Sequence, residues 1–271
     1  MKHYLKTYFY EFIVFLLITI LLCMIYLVKG DGAALAWVVT IFVVGPLGTL
    51  FVIIQLCRLM IRCISKQKKK VVFIHLAASL MLMFPILILT GIIFIPYPDN
   101  ANISENVMLN LPIEGDVVLF GGKDYRTHAV WPSERYAFDI LEEPYDTGNP
   151  DLLSYGIYGK NVLAPIKGEI IEIHNGEKDI PPNTSDFTSS LGNYIFMRID
   201  ETGTYLIFAH LKNNSICVKE GDIVQVGTVI AQVGNSGTTS EPHLHIQHQG
   251  KNPSDVIFWI AVEGLPITFI E

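Results

Sequence analysis

The chain of 271 residues is 51% hydrophobic, with a mean hydropathy of +0.40 and a net charge of −7, too apolar a balance for an ordinary soluble domain. The charge is unevenly spread: residues 1–95 hold nine Lys/Arg against two Asp/Glu, whereas residues 96–271 hold ten against twenty-four. The acidic second part excludes nucleic acid as a partner, because binding phosphates requires clustered Lys and Arg.

Three almost uncharged runs, at about 12–28, 33–56 and 71–95, predict three transmembrane helices, each close to the ~20 residues that cross a bilayer. Gly45 and Pro46 interrupt the second run, which transmembrane helices tolerate. Lys2 and Lys6 precede the first run, and Arg58, Arg62, Lys66, Lys68, Lys69 and Lys70 fill the connection between the second and third. By the positive-inside rule the amino terminus and this connection are cytoplasmic, so the remainder is extracytoplasmic, with the lipid bilayer as an expected partner. Cys217 is the only cysteine beyond the spans, which leaves no intradomain disulfide and no cysteine-based zinc cluster. His75 reads as a helix-end residue, not a ligand.

Residues 96–110 are polar and turn-rich and predict a linker, followed by an external domain over 111–271. From there the apolar pattern has a period of two. Strands are expected at Asp116–Phe120, Tyr136–Ile140, Gly168–Ile173, Asn193–Ile199, Thr204–His210, Ile223–Val226, Thr228–Val233 and His243–Gln247, with no long amphipathic helix between them. Glu201-Thr202-Gly203 predicts a hairpin turn. The implied fold is all-β, an antiparallel sandwich or open barrel. The loop between Asn175 and Ser190 is long enough to be functional; it either walls a groove or is a simple excursion.

The stretch Gly234–Gln247, GNSGTTSEPHLHIQ, carries the chemistry. Side chains two apart on a strand share a face, so His243 and His245 point together while Leu244 and Ile246 point oppositely, and His248 faces away from the pair. Two imidazoles on one face either hydrogen-bond within the sheet or hold a metal.

Several separate pieces resemble the lysostaphin-type (LytM) zinc endopeptidases of bacterial cell walls. These are Phe138-Asp139-Ile140, VLAPIKGEIIEI from Val162, YLIFAHL through His210, and VKEGDIVQVGTVIAQVGNSG followed by EPHLHIQ. The resemblance runs from Asp116 to about Ile246. It implies one Zn²⁺ per chain held by Asp139 and His245, with His210 and His243 orienting and deprotonating the attacking water and stabilising the transition state. It also implies a peptidoglycan peptide or another extracytoplasmic peptide as substrate, a bacterial membrane location and no organic cofactor. A catalytic zinc takes three protein ligands and keeps an open position for water.

The third ligand departs from the family pattern, which has His-x-x-x-Asp where this chain has Arg135 before Asp139. Strand parity puts Arg135 on the face of Asp139. Either His128 folds back to supply the imidazole, or two ligands suffice and Arg135 clamps substrate or oxyanion, or Arg135 pairs with Asp139 in a non-catalytic module. His128 is favoured. The rival of a different class is a binding or regulatory envelope adaptor, since APIKGEIIEI and VKEGDIVQVGTVIAQVG also look like carrier and adaptor sandwiches. A carrier needs a hairpin lysine, usually beside methionine, and the only methionine in this region, Met197, precedes Arg198. Trp131 and Tyr136 are candidates for a groove wall or for packing, and His174 is read as structural.

Overall fold

The computed structural model describes residues 2–99, 106–122 and 125–270. Residues 100–105 of the expected linker lie outside the described residues. The chain divides into two compact units, residues 1–100 and 101–271.

In the first unit, α1 (Lys2–Leu27) is followed by α2 (Asp31–Val39), a π-helical turn (Thr40–Val44) and α3 (Gly45–Ile64), which together form one long helix. Pro46 cannot donate to the helical ladder, and the wider π turn just before it absorbs the break. Next come α4 (Lys70–Met83) and the short α5 (Ile86–Leu89), separated at Pro85. Among the described residues, three helices are long and apolar enough to cross a membrane, at Tyr8–Leu27, Asp31–Ile64 and Lys70–Leu89. The third ends earlier than the apolar run, because turns follow Leu89 and Gly91 takes a left-handed φ of 71°. Gly48 lies directly against the backbone of Leu82 and Met83, where any side chain would collide, so α3 and α4 pack at close range. His75 sits on α4 with its Nε2 3.3 Å from Glu11 Oε1 on α1.

The second unit is built on strands β1 (Val107–Asn110), β2 (Val117–Gly121), β3 (Phe138–Glu142), β4 (Asn161–Leu163), β5 (Gly168–His174), β6 (Asn193–Ile199), β7 (Tyr205–Leu211), β8 (Ile223–Val224), β9 (Val229–Gln232), β10 (Leu244–Gln249) and β11 (Ile267–Ile270). The main sheet has seven strands in the order β2-β3-β10-β7-β6-β5-β8, all antiparallel. Two small pairs accompany it: β4 with β9, antiparallel, and β1 with β11, parallel. The fold is therefore all-β and mostly antiparallel, as expected, with one short parallel pair in addition. The strands of that pair are short and far apart in sequence.

One face of the sheet carries the core. Ile140, Ile195, Met197, Leu206, Phe208, Leu244 and Ile246 are fully buried there, and Val162, Ile230 and Ala231 from β4 and β9 pack into the same cluster. Burial of such side chains is worth about 1.5–3 kcal/mol each and is what fixes the strand register, since a slip by one residue would expose the whole set. The opposite face of β3, β10 and β7 is free to hold polar groups.

Candidate metal centre

Asp139 and His245 are direct cross-strand partners on β3 and β10. That pairing places His245 Nδ1 2.9 Å from Asp139 Oδ1. His243 stands one residue before β10 and faces the same way, its Nε2 3.5 Å from the same oxygen. Leu244 and Ile246 point to the core and His248 lies with them, bonded to the Pro266 carbonyl and Thr204 Oγ1. The alternation read from HLH thus holds through the strand.

His128 reaches the same carboxylate from a different direction. Residues 125–137 wind through successive tight turns, closed by bonds from Ala129 N to Tyr125 O, Trp131 N to His128 O and Ala137 N to Glu134 O. The Pro132 carbonyl also accepts from Gly264 N at 2.8 Å, where glycine is needed because a Cβ would press on Ser133 O. This coiled segment brings His128 Nε2 to 3.2 Å from Asp139 Oδ2.

The same turns correct the parity argument for Arg135. Strand β3 begins at Phe138, so Arg135 lies in the turn and alternation does not extend to it. Its guanidinium sits 5.7 Å from the centroid of the Tyr136 ring, and it is not among the described residues lining the cleft. Tyr136 is buried, whereas Trp131 lines the cleft.

His210 arrives by a bulge. Parity along β7 would send it to the core with Leu206 and Phe208. Instead β6 and β7 shift register between Asn193 and Ile195, which face Leu211 and Phe208, so two residues of β7 oppose one of β6. His210 adopts φ 60°, a left-handed conformation few non-glycine residues take, and turns to the polar face. Its Nδ1 bonds the Ser236 carbonyl at 2.8 Å, and its ring lies 4.7 Å from that of His243. The GNSG turn holds that carbonyl in place: Gly237, at φ 84°, sits against Gly192 N and Ser190 O with no room for a side chain. Ser236 Oγ in turn donates to Leu211 O.

Among the described residues two groups of donor atoms result, His128–Asp139–His245 and His210–His243–His245, each with its atoms within 4.8 Å of one another and every residue buried. Two imidazoles and a carboxylate are a donor set that suits zinc. Tetrahedral zinc ligands at ~2.0–2.1 Å stand roughly 3.3 Å apart, close to the separations around Asp139. The residues present fit the metal.

The electrostatics follow from this crowding. Burial alone would raise the Asp139 carboxyl, yet the charge of His243 and the hydrogen bonds of His128 and His245 hold it well below the usual range. Burial disfavours a charged His245, but Asp139, with smaller help from Glu134 and Gln247, pushes its imidazole up to about 9. His210 goes the other way, lowered well below 6.5 by burial and then by His243 and His245. His210 is therefore neutral near pH 7, with Nδ1 engaged by the Ser236 carbonyl and Nε2 left as an acceptor.

A cleft of about 690 Å³ opens over these groups, lined by Trp131, Glu134, Phe187, Leu191, Thr239 and Trp259 among others. A second hollow of about 200 Å³ continues past His243 and Asp139, with Phe120, Tyr145, Asp146 and Glu241 at its walls. Neither lining, among the described residues, includes Lys or Arg. The 175–190 loop supplies Asn183, Thr184, Ser185, Phe187 and Ser190 to the cleft and is tied down. Glu177 accepts from Thr188 N and Ser189 N, and Asp179 from Asn235 N. Of the two readings of this loop, groove wall is the one observed. Sequence reasoning passed over Glu177, Asp179 and Ser236, since single polar residues in loops carry no periodic signal.

Residues 154–256 match the family model described as Peptidase family M23. The chain carries an M23 peptidase domain. The matched M23 segment contains His210, His243 and His245, while His128 and Asp139 precede it and join the group through the fold. Among solved structures the chain is similar to the catalytic domain of lysostaphin from Staphylococcus simulans, at 22% identity over 48% of this chain and 74% of that one, TM-score 0.32. It is also similar to a putative peptidase M23 from Pseudomonas aeruginosa, at 20% identity over 56% of this chain and 49% of that one, TM-score 0.33. A third is a zinc-containing peptidase from Vibrio cholerae, at 18% identity over 55% of this chain and 34% of that one, TM-score 0.30. The chain therefore spans half or less of the last two. No curated protein matches it.

Proposed function

We propose that this chain is a membrane-anchored zinc metalloendopeptidase that hydrolyses peptide bonds, with bacterial peptidoglycan stems or cross-links as the substrate class. The observation that carries the reading is the convergence of His128 Nε2, Asp139 and His245 Nδ1 in an M23 domain, with His210 and His243 alongside. His128, Asp139 and His245 would hold one zinc ion. When bound, zinc would supply Lewis acidity toward the scissile carbonyl and lower the pKa of a water toward neutrality.

The chain's own residues do the rest. His210, neutral and anchored by the Ser236 carbonyl through Nδ1, offers Nε2 to take the proton of the attacking water. His243 Nδ1 donates to the Glu241 carbonyl at 2.7 Å, which leaves Nε2 facing the reacting centre, where it donates toward the developing oxyanion or the leaving amine once the ring carries a second proton. The cleft walls, with Trp131, Phe187 and Trp259, seat an extended peptide and exclude water. The three apolar helices anchor the domain in the bilayer, amino terminus inside and the peptidase unit outside, as the Lys-rich connection at 66–70 favours.

The test is digestion of purified peptidoglycan by the full chain in detergent or nanodiscs. New amino termini from cleaved stems are expected, lost on chelation, restored by zinc, and absent in His245→Ala. A chain that binds wall material but liberates no amino termini under any metal condition is a binding module, and the enzyme reading fails.

A further inference from the structure

The polar face of β10 continues past the histidines. His245, Gln247 and Gln249 alternate along it, and both glutamines are 1% exposed, an unusual place for two carboxamides. Each is bonded in series. His245 Nε2 lies 3.0 Å from Gln247 Oε1, Gln247 Nε2 donates to Gln249 Oε1 at 3.4 Å, and Gln249 Nε2 donates to the Lys251 carbonyl at 2.8 Å.

The end of the series fixes its direction. A backbone carbonyl can only accept, so Gln249 must turn its NH₂ toward Lys251 and its oxygen toward Gln247. Gln247 must then present NH₂ to Gln249 and oxygen to His245. An oxygen facing His245 Nε2 requires a proton on that nitrogen. The other nitrogen, Nδ1, is the one beside Asp139.

We infer that Gln247 and Gln249 are positioning residues that hold His245 in its Nε2–H form and thereby assign Nδ1 to the metal. This rests on the metal centre proposed above. Neither glutamine touches substrate or metal; each acts through the next, and the Lys251 carbonyl sets the polarity of the whole relay. Partners of this kind typically command 10–100-fold in metal affinity.

The test uses the full chain in nanodiscs, with Gln247→Leu, Gln247→Glu and Gln249→Leu. Zinc affinity is read by chelator competition. The Nε2–H resonance of His245 is read by nitrogen-15 NMR on the metal-free chain, so that it does not depend on zinc uptake. Gln247→Leu should bind zinc ~10–100-fold more weakly, Gln247→Glu, which keeps the acceptor, should restore affinity, and Gln249→Leu should shift the Nε2–H resonance although it lies one hydrogen bond further along the series. Equal zinc affinity in Gln247→Leu and the parent, or a resonance unmoved in Gln249→Leu, overturns the relay. A parent chain that takes up no zinc while its resonance responds to both leucine variants leaves the relay standing and refutes the metal centre instead.

Discussion

His128 Nε2 lies 3.2 Å from Asp139 Oδ2, although the two residues belong to a coiled turn and a strand. Arg135, nearer to Asp139 in sequence, stays in that turn beside the Tyr136 ring. Removing His128 should therefore release zinc, whereas Arg135→Ala should keep it. Zinc affinity of the purified variants, read by chelator competition, checks this: His128→Ala should bind at least ~10–100-fold more weakly, the loss typical of an outer-shell partner. Zinc lost from Arg135→Ala but kept in His128→Ala would reverse the assignment.

His210 and His243 are assigned proton transfer and not metal binding. Each should therefore separate the two properties when replaced by alanine. Turnover of peptidoglycan should drop by about 10²–10⁴-fold, the usual contribution of a general acid or base, at unchanged zinc stoichiometry. Loss of zinc in either variant would instead make that histidine a ligand.

Gly237 supports His210 from below. Alanine there would take a left-handed φ and press on Gly192 N and Ser190 O. A cost of about 2–4 kcal/mol is expected from backbone strain together with overpacking, read as a lowered denaturant midpoint of the second unit's transition. Gly203, also left-handed but with open space around it, should tolerate alanine better.

His248 gives the chain a pH-dependent stability apart from catalysis. Burial lowers its imidazole to about 4, only partly offset by the Pro266 carbonyl, so the folded chain takes up this proton later than the unfolded one. A depressed histidine costs nothing above ~6.5, where both states are neutral, and stability falls as pH drops from there toward about 4. The full effect is about 3 kcal/mol. Denaturant titrations from pH 7.5 to 4.5 should show this slope, reduced in His248→Gln.

Much of the site was legible in the sequence because strand alternation and the ordered motifs both bear on HLH and on Asp139. Those cues are local, and Asn193–Ile199 forms a strand with the very limits that period-two patterning gives. What patterning could not reveal comes from interruptions of regular structure. The bulge that turns His210 out of the core reverses its parity, and the turns before β3 remove Arg135 from the face that alternation assigns it while delivering His128. The parallel pairing of β1 with β11 joins opposite ends of the domain, a relationship no local pattern encodes. The glutamines of β10 were equally invisible, since buried carboxamides on a strand resemble surface polar residues until their partners are known.

X-ray absorption at the zinc edge of the full chain addresses the metal centre most directly. A nitrogen/oxygen shell containing two imidazole rings and no sulfur is expected, reduced to one ring in His128→Ala reloaded with saturating zinc. A chain that holds no zinc, or a spectrum unaltered by His128→Ala, would contradict it.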